Sequence, residues 1–494
     1  MQFWELINRS NFLKEKFKNI EDHFKEIEIN GISNNSKNIK KKFIFFAFTG
    51  NKTNGNLYIN EARKNGATIV ISQEEKGKDV IKLTNKDYFK IYSHLCSSFY
   101  NKKPKNIIAV TGTNGKTSVT DFCRQIWSFY GLKSASIGTL GIRDTSEQYY
   151  HKIRNNLTTL DSSELNKQLS KLYDKQISYV ALEASSHGIN QNRLDGINFN
   201  GAVFTNLSHD HLDYHKNMEN YFSAKMKLFT EHLKDGTCVS INLDDQYGME
   251  LYNKIKTKNF KFVNFGFNEK CELKLIQIKK IEKIWQLEIL YKNKLYKTDI
   301  GLVGHFQIYN ALAAASICLG LGLKQDSIFK SLSYLQTVPG RMQIVNHPLC
   351  KATIIVDYAH TPNALENAIL AVKKMNVSGK IYTLFGCGGE RDHEKRSKMG
   401  EVAFKNSDFT IITDDNPRTE DPSLIRKSII NNNPIAIEIP GRDIAIKKAI
   451  SFLKDDDVLI IAGKGHEQTQ TIGIETLPFD DVSVVKNTLD RLNP

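Results

Sequence analysis

Short apolar, β-branched runs alternate with polar loops and helix-like segments through the middle and the last third of the chain. The runs cover 107–110, 179–182, 202–204 and 238–241, and then 354–356, 381–385, 410–412 and 458–461. Uninterrupted apolar runs that alternate with helices are typical of buried parallel sheets. Because ligands bind beyond the carboxyl ends of parallel strands, we expect the functional side chains directly after these runs.

Two breaks divide this pattern. Residues 101–104 end a first segment that contains strand-like runs at 43–48 and 67–71, and residues 338–340 follow a helical stretch. We therefore predict an α/β protein with three domains, at 1–104, 105–339 and 340–494. The stretch from about 260 to 300 alternates between apolar and polar positions, which predicts an antiparallel appendage to the middle domain.

Composition excludes several classes of protein. The 494 residues are 40% hydrophobic and 25% charged, which excludes a disordered or collagen-like chain. The longest nearly apolar run, 311–323, is about 13 residues, whereas about 20 are needed to span a bilayer. The seven cysteines include no CxxC pair, and the first residues lack a signal-peptide pattern. We expect a cytoplasmic protein with no membrane span.

The formal net charge of +14 raises the possibility of nucleic-acid binding. The basic residues are mostly lysines that are dispersed along the chain, and no basic block is interleaved with aromatic residues. This distribution favours a solvated basic surface over a nucleic-acid groove. We therefore expect no nucleic-acid partner.

A glycine-rich loop stands between an apolar run and a helical segment at 118–130. Its backbone amides and the helix N-terminus would face an anion, while Lys116 would reach terminal phosphates and the Thr117 hydroxyl would bind Mg²⁺. The spacing GxxGKT is shorter than the usual GxxxxGK[ST], but the strand before it and the helix after it are the required context. We predict a nucleotide site formed by Gly112, Thr113, Asn114, Gly115, Lys116, Thr117 and Ser118.

Two further segments carry candidate metal ligands. Glu183 ends the run ISYVALE, where a carboxylate beside a phosphate loop can hold Mg²⁺; the alternative is an ordinary solvated glutamate at a strand end. The segment 208–215, SHDHLDYH, has three histidines and two aspartates, but its spacing fits no familiar zinc signature. We favour one of these histidines as a nitrogen ligand to Mg²⁺.

A series of motifs occurs in order along the chain: TGTNGKTS, LEASSHG, FTNLSHDHLDYH, SAK, GR at 340–341, DYAHTP, FGCGGERD, TDDNPRTEDP and AGKGHE. This series resembles the Mur ligase family, in its branch that adds the third residue to UDP-N-acetylmuramoyl-L-Ala-D-Glu. The resemblance implies a first domain that binds the UDP-sugar peptide, a middle domain of P-loop ATPase type that binds ATP, and a Rossmann-like last domain that binds an amino acid. It also implies an ATP-dependent amide ligase that works through an acyl phosphate in peptidoglycan precursor synthesis, and we expect a monomer.

The resemblance also implies roles for individual residues. The catalytic residues it implies are Lys116, Glu183, His211, Lys225 and Arg341, with Mg²⁺ at Thr117, Glu183, His211 and Lys225. It places Asn310, Arg341 and Asp357 at ATP, and Ser36, Thr158, Thr159, Ser185, Gln191 and Arg193 at the sugar peptide. Lys225 would carry a carbamate made with CO₂, as N6-carboxylysine. From the residues alone, a lysine in YFSAKMKLF is interpreted as a surface residue of a helix.

The segment after the run FTIITD bears on which amino acid is added. Arg418 offers a planar fork of donors for a carboxylate, and meso-diaminopimelate has two carboxylates where lysine has one. The form DNPR resembles that of the diaminopimelate-adding enzymes; the alternative is that Arg418 is a surface residue after a turn. The resemblance implies that diaminopimelate contacts Arg391, Asp415, Asn416, Pro417, Arg418, Gly463 and Glu467.

Three alternatives remain at this level. One is a relative with the same chemistry, such as folylpolyglutamate synthetase or another Mur ligase, against which DNPR and the N-terminal segment argue. Another is a P-loop ATPase that moves along nucleic acid, which would need stacking aromatics in a basic groove. The third is a non-catalytic binding module, which the presence of Lys116, Glu183, His211 and Lys225 disfavours.

Overall fold

A computed structural model describes residues 1–49, 54–83, 87–145, 157–281, 284–348, 350–375, 377–431 and 433–492. Its first part is a four-stranded parallel sheet in the order β1-β2-β3-β4. Ile44 and Phe46 pack on one face against α1 and α5, while Phe45 packs on the other face with α4, as the two-residue period of a strand requires. The elements are α1 Phe3–Asn8, α2 Asn11–Lys16, α3 Asp22–Lys25, β1 Gly31–Ser33, β2 Phe43–Ala47, α4 Ile59–Lys64, β3 Ala67–Ser72, β4 Val80–Lys82 and α5 Tyr88–Phe99.

The second part is a seven-stranded sheet in the order β11-β10-β9-β5-β8-β6-β7, and it is parallel except for β7. Its elements are β5 Asn106–Thr111, α6 Lys116–Phe129, β6 Ser134–Gly138, β7 Gly141–Asp144, α7 Ser162–Asp174, β8 Tyr179–Glu183, α8 Ser186–Asn190, β9 Gly201–Phe204, α9 Leu212–His215, α10 Met218–Glu231, β10 Cys238–Ile241, α11 Gln246–Ile255 and β11 Lys261–Phe262. The central strands are buried on both faces, so their alternate residues enter two different cores.

A second, smaller sheet follows in the order β12-β13-β14-β15. The predicted appendage is therefore present, but its antiparallel pairing covers only β13 to β15. The prediction was wrong at its start, because β11 joins the large parallel sheet and β12 pairs parallel with β13. The elements are β12 Phe265–Gly266, β13 Leu273–Ile281, β14 Ile284–Tyr291, β15 Lys294–Ile300, α12 His305–Gly320 and α13 Gln325–Leu332.

The last part is a six-stranded sheet in the order β16-β17-β21-β18-β19-β20, with only β16 antiparallel, and a separate hairpin, β22–β23. Its elements are β16 Gln343–Ile344, β17 Thr353–Asp357, α14 Pro362–Lys373, β18 Ile381–Phe385, α15 Glu394–Asn406, β19 Phe409–Ile412, α16 Pro422–Ile430, β20 Ile437–Glu438, α17 Arg442–Phe452, β21 Val458–Ala462, β22 Thr469–Ile472, β23 Glu475–Pro478 and α18 Asp481–Leu492.

The α/β fold with mostly parallel sheets confirms the fold class predicted from the apolar runs, each of which lies in a strand. Strand β6 was not anticipated, because its residues SASIG are mostly small and have low β propensity. Within the described ranges, no helix has both the length and the apolar character needed to cross a membrane.

Candidate active site

A tightly bent loop joins β5 to α6 in the middle of the seven-stranded sheet. Gly112 and Gly115 have positive φ values of 149° and 87°, and α6 begins at Lys116. A Cβ on Gly115 would lie 2.3 Å from Asn310 Oδ1 of α12, so the turn and the close approach both require glycine. The first amides of α6 have no partner within the helix and lie at the positive end of its dipole. The loop can therefore bind phosphate groups.

We expect Gly115→Ala to weaken ADP binding at least tenfold and to lower the free energy of unfolding by about 1–3 kcal/mol, the usual range for stored backbone strain. The added methyl group would displace Asn310 and distort the loop. Calorimetric titration with ADP and urea unfolding measure the two effects. Gly131→Ala is the matched control, because Gly131 also has a positive φ but faces open space. Unchanged ADP affinity in Gly115→Ala would contradict the role of the loop.

The segment after β9 holds this loop in place. Asn206 accepts a hydrogen bond from the Thr113 amide through its backbone carbonyl, at 2.8 Å, and one from the Asn114 amide through its side chain, at 3.0 Å. The hydroxyl of Thr205 donates to the Asn114 carbonyl at 2.6 Å. The loop conformation thus depends on a neighbouring parallel strand.

Two lysines converge on one carbonyl of the loop. Lys116 Nζ donates to the carbonyls of Gly112 at 3.0 Å and Thr113 at 2.8 Å, and Lys225 Nζ donates to Gly112 at 2.8 Å. Lys225 is only 1% exposed, so its interpretation as a surface residue was wrong. The stretch YFSAKMKLF forms α10, and the helix turns Lys225 towards the sheet together with Tyr221 and Leu228.

Burial and neighbouring charges shift the pKa values of both lysines. Burial lowers the pKa of Lys116, and Glu183 and Asp210 partly offset that effect. Burial, reinforced by Lys116, lowers the pKa of Lys225 well below its ordinary value. Both lysines donate to backbone carbonyls, and neither forms an ion pair with a carboxylate in the part of the chain that the structure describes. Two lysines close together, of which Lys225 is buried and Lys116 half-buried, favour an anionic ligand between them.

The carboxylate of Glu183 lies at the end of β8, as predicted. It accepts hydrogen bonds from the Thr139 amide at 2.9 Å and the Thr139 hydroxyl at 3.1 Å. A Cβ on Gly138 would lie 2.1 Å from Glu183 Oε1, so glycine at the end of β6 makes room for this carboxylate. Glu183 is buried and is therefore not a solvated residue at a strand end.

His211 directly precedes α9 and has a left-handed backbone conformation, with φ of 55°. Its ring packs edge-on against His187, with ring centroids 4.9 Å apart, and its side chain is 43% exposed. His215 points inward instead and hydrogen-bonds the Ser186 hydroxyl at 2.9 Å. Across the described ranges, no three His, Cys, Asp or Glu side chains form a group that could hold a metal ion. A metal here would need a further ligand, such as a modified Lys225.

The last part of the chain also reaches the loop. Arg341 Nη2 donates to the Thr117 hydroxyl at 3.1 Å, while its Nε is buried without a hydrogen-bond partner among the described residues. Asp357 accepts hydrogen bonds from the amides of Met342 at 2.7 Å and Ala359 at 2.8 Å, and burial raises its pKa although Arg341 counteracts this. Asp357 therefore orients the backbone next to Arg341.

A second group of predicted residues surrounds the start of α8. The hydroxyl of Thr159 donates to the Glu183 carbonyl at 2.8 Å and lies 3.0 Å from that of Ser185. Arg193 donates to the Thr159 carbonyl at 2.7 Å and also hydrogen-bonds the side chain of Gln191. Thr158 joins the group through Thr139, whose hydroxyl oxygen lies 3.3 Å from that of Thr158. The structure thus brings together every predicted sugar-peptide residue except one.

The exception is Ser36, which follows β1. Its hydroxyl donates to Glu61 at 2.6 Å within the first part of the chain, and no described contact joins it to the Thr159 group. The same strand nevertheless approaches that group, because the Ser163 hydroxyl donates to the Ile32 carbonyl at 2.7 Å.

The DNPR segment lies beyond β19 and is tied to β22. The Asn416 amide group donates to Glu467 Oε2 at 3.0 Å, and the Asp415 carboxylate lies against Gly463, where a Cβ would be 2.9 Å from Oδ2. Arg418 has a positive φ of 53° and exchanges backbone hydrogen bonds with Thr471 and Gly473. Its side chain is half-buried, so it is not a free surface residue.

The guanidinium of Arg418 and the aliphatic part of a second arginine side chain, that of Arg391, lie against the same glycine. The guanidinium donates to the Gly389 carbonyl, and a Cβ on Gly388 would lie 3.0 Å from Arg418 Nη1 and 3.7 Å from Arg391 Cγ. Pro417 shapes the same turn, because its carbonyl lies against Gly389. Two cationic side chains beside a glycine-lined turn suit a ligand that carries carboxylates.

A chain of contacts connects the phosphate loop to the DNPR segment. The Arg341 guanidinium stacks on the Tyr358 ring at 4.4 Å, and Tyr358 packs on His466 with ring centroids 5.0 Å apart. Burial and the neighbouring Glu467 raise the pKa of Tyr358, whereas Arg341 lowers it. These packed side chains therefore connect the two predicted sites.

Four residues that contact this region were not predicted from the sequence. Asn206 and Lys464 lie inside the motifs FTNLSHDHLDYH and AGKGHE, so motif membership could have indicated them. Tyr221 precedes Lys225 by four residues, and helical spacing would place it beside the lysine, where its ring lies 4.5 Å from Nζ. Thr139 carries no such signal, and only the packing of β6 against β8 reveals it.

Three family models match the chain. They are described as "Mur ligase family, catalytic domain" for residues 28–103, "Mur ligase middle domain" for 110–318, and "Mur ligase, glutamate ligase domain" for 340–465. The chain is 40% identical over 475 residues to the UDP-N-acetylmuramoyl-L-alanyl-D-glutamate–2,6-diaminopimelate ligase of Rickettsia typhi, with 95% of each chain covered. Its identity to the Agrobacterium fabrum ligase of the same description is 40% over 466 residues, with 94% of each covered.

Solved structures show the same similarity. A structure of a UDP-N-acetylmuramoyl-L-alanyl-D-glutamate–2,6-diaminopimelate ligase aligns with a TM-score of 0.67 and 30% identity, over 97% of this chain and 99% of the other. MurF ligase from Thermotoga maritima, in complex with ADP, aligns with a TM-score of 0.64 over 94% and 97% of the two chains. At 18% identity, the second likeness shows a shared fold only.

Proposed function

Because the chain belongs to the Mur ligase family, we propose that it is the ATP-dependent ligase that joins meso-diaminopimelate to the D-Glu of UDP-N-acetylmuramoyl-L-Ala-D-Glu. The observation that carries this proposal is the 40% identity over 95% of the chain to ligases of that description. The contacts that connect the phosphate loop to the DNPR segment support it, because the substrates of the two sites must meet in one reaction.

The reaction needs two steps at one carboxyl group. The D-Glu side-chain carboxylate attacks the γ-phosphorus of ATP and ADP leaves, which gives an acyl phosphate. The amine of diaminopimelate then attacks the acyl carbon, the amine loses a proton and phosphate leaves. A carboxylate is a poor electrophile, so phosphorylation supplies the leaving group. The first step brings two anions together and the second develops negative charge on the acyl oxygen, and Lys116 and Arg341 provide cations that stabilise these charges.

We assign ATP to the loop at 112–118, with Asn310 lining its helix side and Arg341 reaching across from the last domain. The buried, unpaired Nε of Arg341 suits a phosphate oxygen as acceptor. Asp357 holds the backbone at Met342 and thereby places Arg341. We assign the domains as 1–104 for the UDP-sugar peptide, 105–339 for ATP and 340–494 for the amino acid, in a monomer that acts in the cytoplasm.

We assign Mg²⁺ to Thr117, Glu183, His211 and a carbamylated Lys225. Carboxylate, carbamate and hydroxyl oxygens are the donors that this ion prefers. The environment of Lys225 supports this assignment, because the lysine is buried and points at the loop beside Lys116 without a carboxylate partner in the described chain. A carbamate would replace that buried cation with an anion. When bound, Mg²⁺ supplies charge neutralisation for the phosphates.

We expect Lys225 to form a carbamate, because reaction with CO₂ replaces a buried lysine next to Lys116 with an anion. In the presence of ¹³C-labelled bicarbonate, the carbon NMR spectrum should show a carbamate signal that Lys225→Ala abolishes. Activity should fall at least 10²-fold in that variant and recover partly with added acetate. Lys227→Ala, on the same helix and outside the site, is the control. A wild-type spectrum without a carbamate signal would contradict the modification.

The contacts within the site also support binding positions for the sugar peptide and for diaminopimelate. We assign the sugar peptide to the Thr159 group, made up of Thr158, Thr159, Ser185, Gln191 and Arg193, with Ser36 at the uridine. We assign diaminopimelate to the cleft formed by Arg391, Asp415, Asn416, Pro417, Arg418, Gly463 and Glu467. In that cleft Arg418 would bind the carboxylate that lysine lacks.

The test is phosphate release from ATP with UDP-N-acetylmuramoyl-L-Ala-D-Glu, compared among meso-diaminopimelate, lysine and ornithine. We expect release with diaminopimelate and at least tenfold lower kcat/KM with the other two amino acids. Phosphate release that requires DNA or RNA and does not depend on the UDP-sugar peptide would instead favour a nucleic-acid-dependent ATPase.

A further inference from the structure

A fully buried lysine lies behind the DNPR segment. The side chain of Lys464 is 0% exposed, and its Nζ donates to Asn416 Oδ1 at 3.1 Å and to Glu467 Oε2 at 3.0 Å. Burial of an ammonium group is unfavourable unless it is paired and hydrogen-bonded. The position of Lys464 is therefore coupled to these two side chains, both of which belong to the proposed diaminopimelate cleft.

The three side chains form a closed ring of hydrogen bonds. Asn416 Nδ2 donates to the same Glu467 Oε2 at 3.0 Å, and Asn416 Oδ1 also accepts from the Thr471 amide at 2.9 Å. Lys464 and Thr471 thus fix which way the Asn416 amide points, so that its NH₂ group faces Glu467. The ring ties together the segments after β19 and β21 and the first strand of the hairpin.

The ring uses only one of the two carboxylate oxygens of Glu467. Oε2 accepts two hydrogen bonds, whereas no residue in the described ranges donates to Oε1. The side chain of Glu467 is 32% exposed, so a ligand can reach this carboxylate. A carboxylate anchored through one oxygen presents the other in a fixed direction, which is how an ammonium group is positioned.

We propose that Lys464 is a positioning residue for the incoming amino acid: it anchors Glu467 through Oε2 so that Oε1 meets an ammonium group of diaminopimelate. This inference rests on the proposed function, which assigns Glu467 and Asn416 to the amino-acid cleft. Without Lys464, Glu467 loses its cationic partner and Asn416 loses one of the two donors that set its orientation. The carboxylate can then rotate away from the amine.

The experiment compares Lys464→Met with the wild-type enzyme in phosphate release, with each substrate varied in turn. We expect the KM for meso-diaminopimelate to rise at least tenfold, while the KM values for ATP and the UDP-sugar peptide change less than twofold. Lys447→Met removes an exposed lysine that pairs with Asp443 on α17 and is the matched control. A uniform change in all three KM values and kcat would overturn the inference, because it indicates a general structural role.

A double-mutant cycle shows whether Lys464 acts through Glu467. In the Glu467→Gln background, Lys464→Met should change the KM for diaminopimelate less than twofold further; independent, multiplying effects would overturn the inference. Thermal unfolding checks that each variant folds. If Lys464→Met does not fold, Lys464→Gln is used in its place. A wild-type enzyme without amino-acid-dependent phosphate release refutes the proposed function. An active wild type with an unchanged diaminopimelate KM in Lys464→Met overturns this inference alone.

Discussion

Replacing Lys116 with methionine should lower the rate of phosphate release by roughly 10³-fold, close to the loss seen when one preorganised donor is removed from a developing anion. The Nζ of this residue folds back on the carbonyls of Gly112 and Thr113, next to the amides that would face the phosphates. A methionine of similar length fills the space without the charge. Pre-steady-state phosphate release at saturating substrates measures the chemical step.

The control for Lys116→Met is Lys133→Met, which removes an exposed lysine beyond the other end of α6. Thermal unfolding should place the midpoint of Lys116→Met at or above that of the wild type, because a half-buried cation without a carboxylate partner does not stabilise the fold. A rate within tenfold of wild type would remove Lys116 from the proposed mechanism.

Replacing Arg418 with alanine should lower kcat/KM for meso-diaminopimelate by at least roughly 30-fold, which corresponds to about 2 kcal/mol or more for a hydrogen-bonded charge pair. The guanidinium is half-buried, donates to the Gly389 carbonyl and adjoins Arg391, so it can meet a carboxylate in the cleft. Alanine and arginine are alike in their tolerance of the left-handed backbone at this position, so the change tests the side chain. Kinetics with diaminopimelate varied measure the effect.

Nucleotide affinity separates this role from a general loss of structure. The Kd of ADP, measured by calorimetry, should stay within twofold in Arg418→Ala, because Arg418 makes no described contact with the phosphate loop. Arg418→Lys keeps the charge but loses the planar fork, and we expect it to recover only part of the activity. Equal losses of ADP binding and diaminopimelate use would refute the assignment.

Much of the fold could be predicted because strands and loops are encoded locally. The apolar run before Gly112 and the helix after it predict a strand–loop–helix unit, and the structure has β5 and α6 there. The register of β11 and β12 could not be predicted in this way. A two-residue strand carries almost no periodic signal, so its pairing is decided by which strand lies next to it.

Some residues of the candidate site could likewise be predicted from the local sequence, and others could not. Glu183 and the phosphate loop follow from position alone, since both stand at the carboxyl ends of parallel strands. The contact between Arg341 and Thr117 joins residues 224 positions apart, and no local pattern contains it. The motif resemblance implied that Arg341 and Thr117 act in one site, but it did not give the contact that joins them.

The sequence by itself determined the alternation of strands and helices, the phosphate loop and the order of the chemical motifs, because each depends on neighbours within a few residues. Only the tertiary structure decided that Lys225 is buried beside Lys116 and that Lys464 is enclosed by Asn416 and Glu467. The physical reason is that the environment of a charged side chain is set by the elements that pack over it, and those elements come from distant parts of the chain.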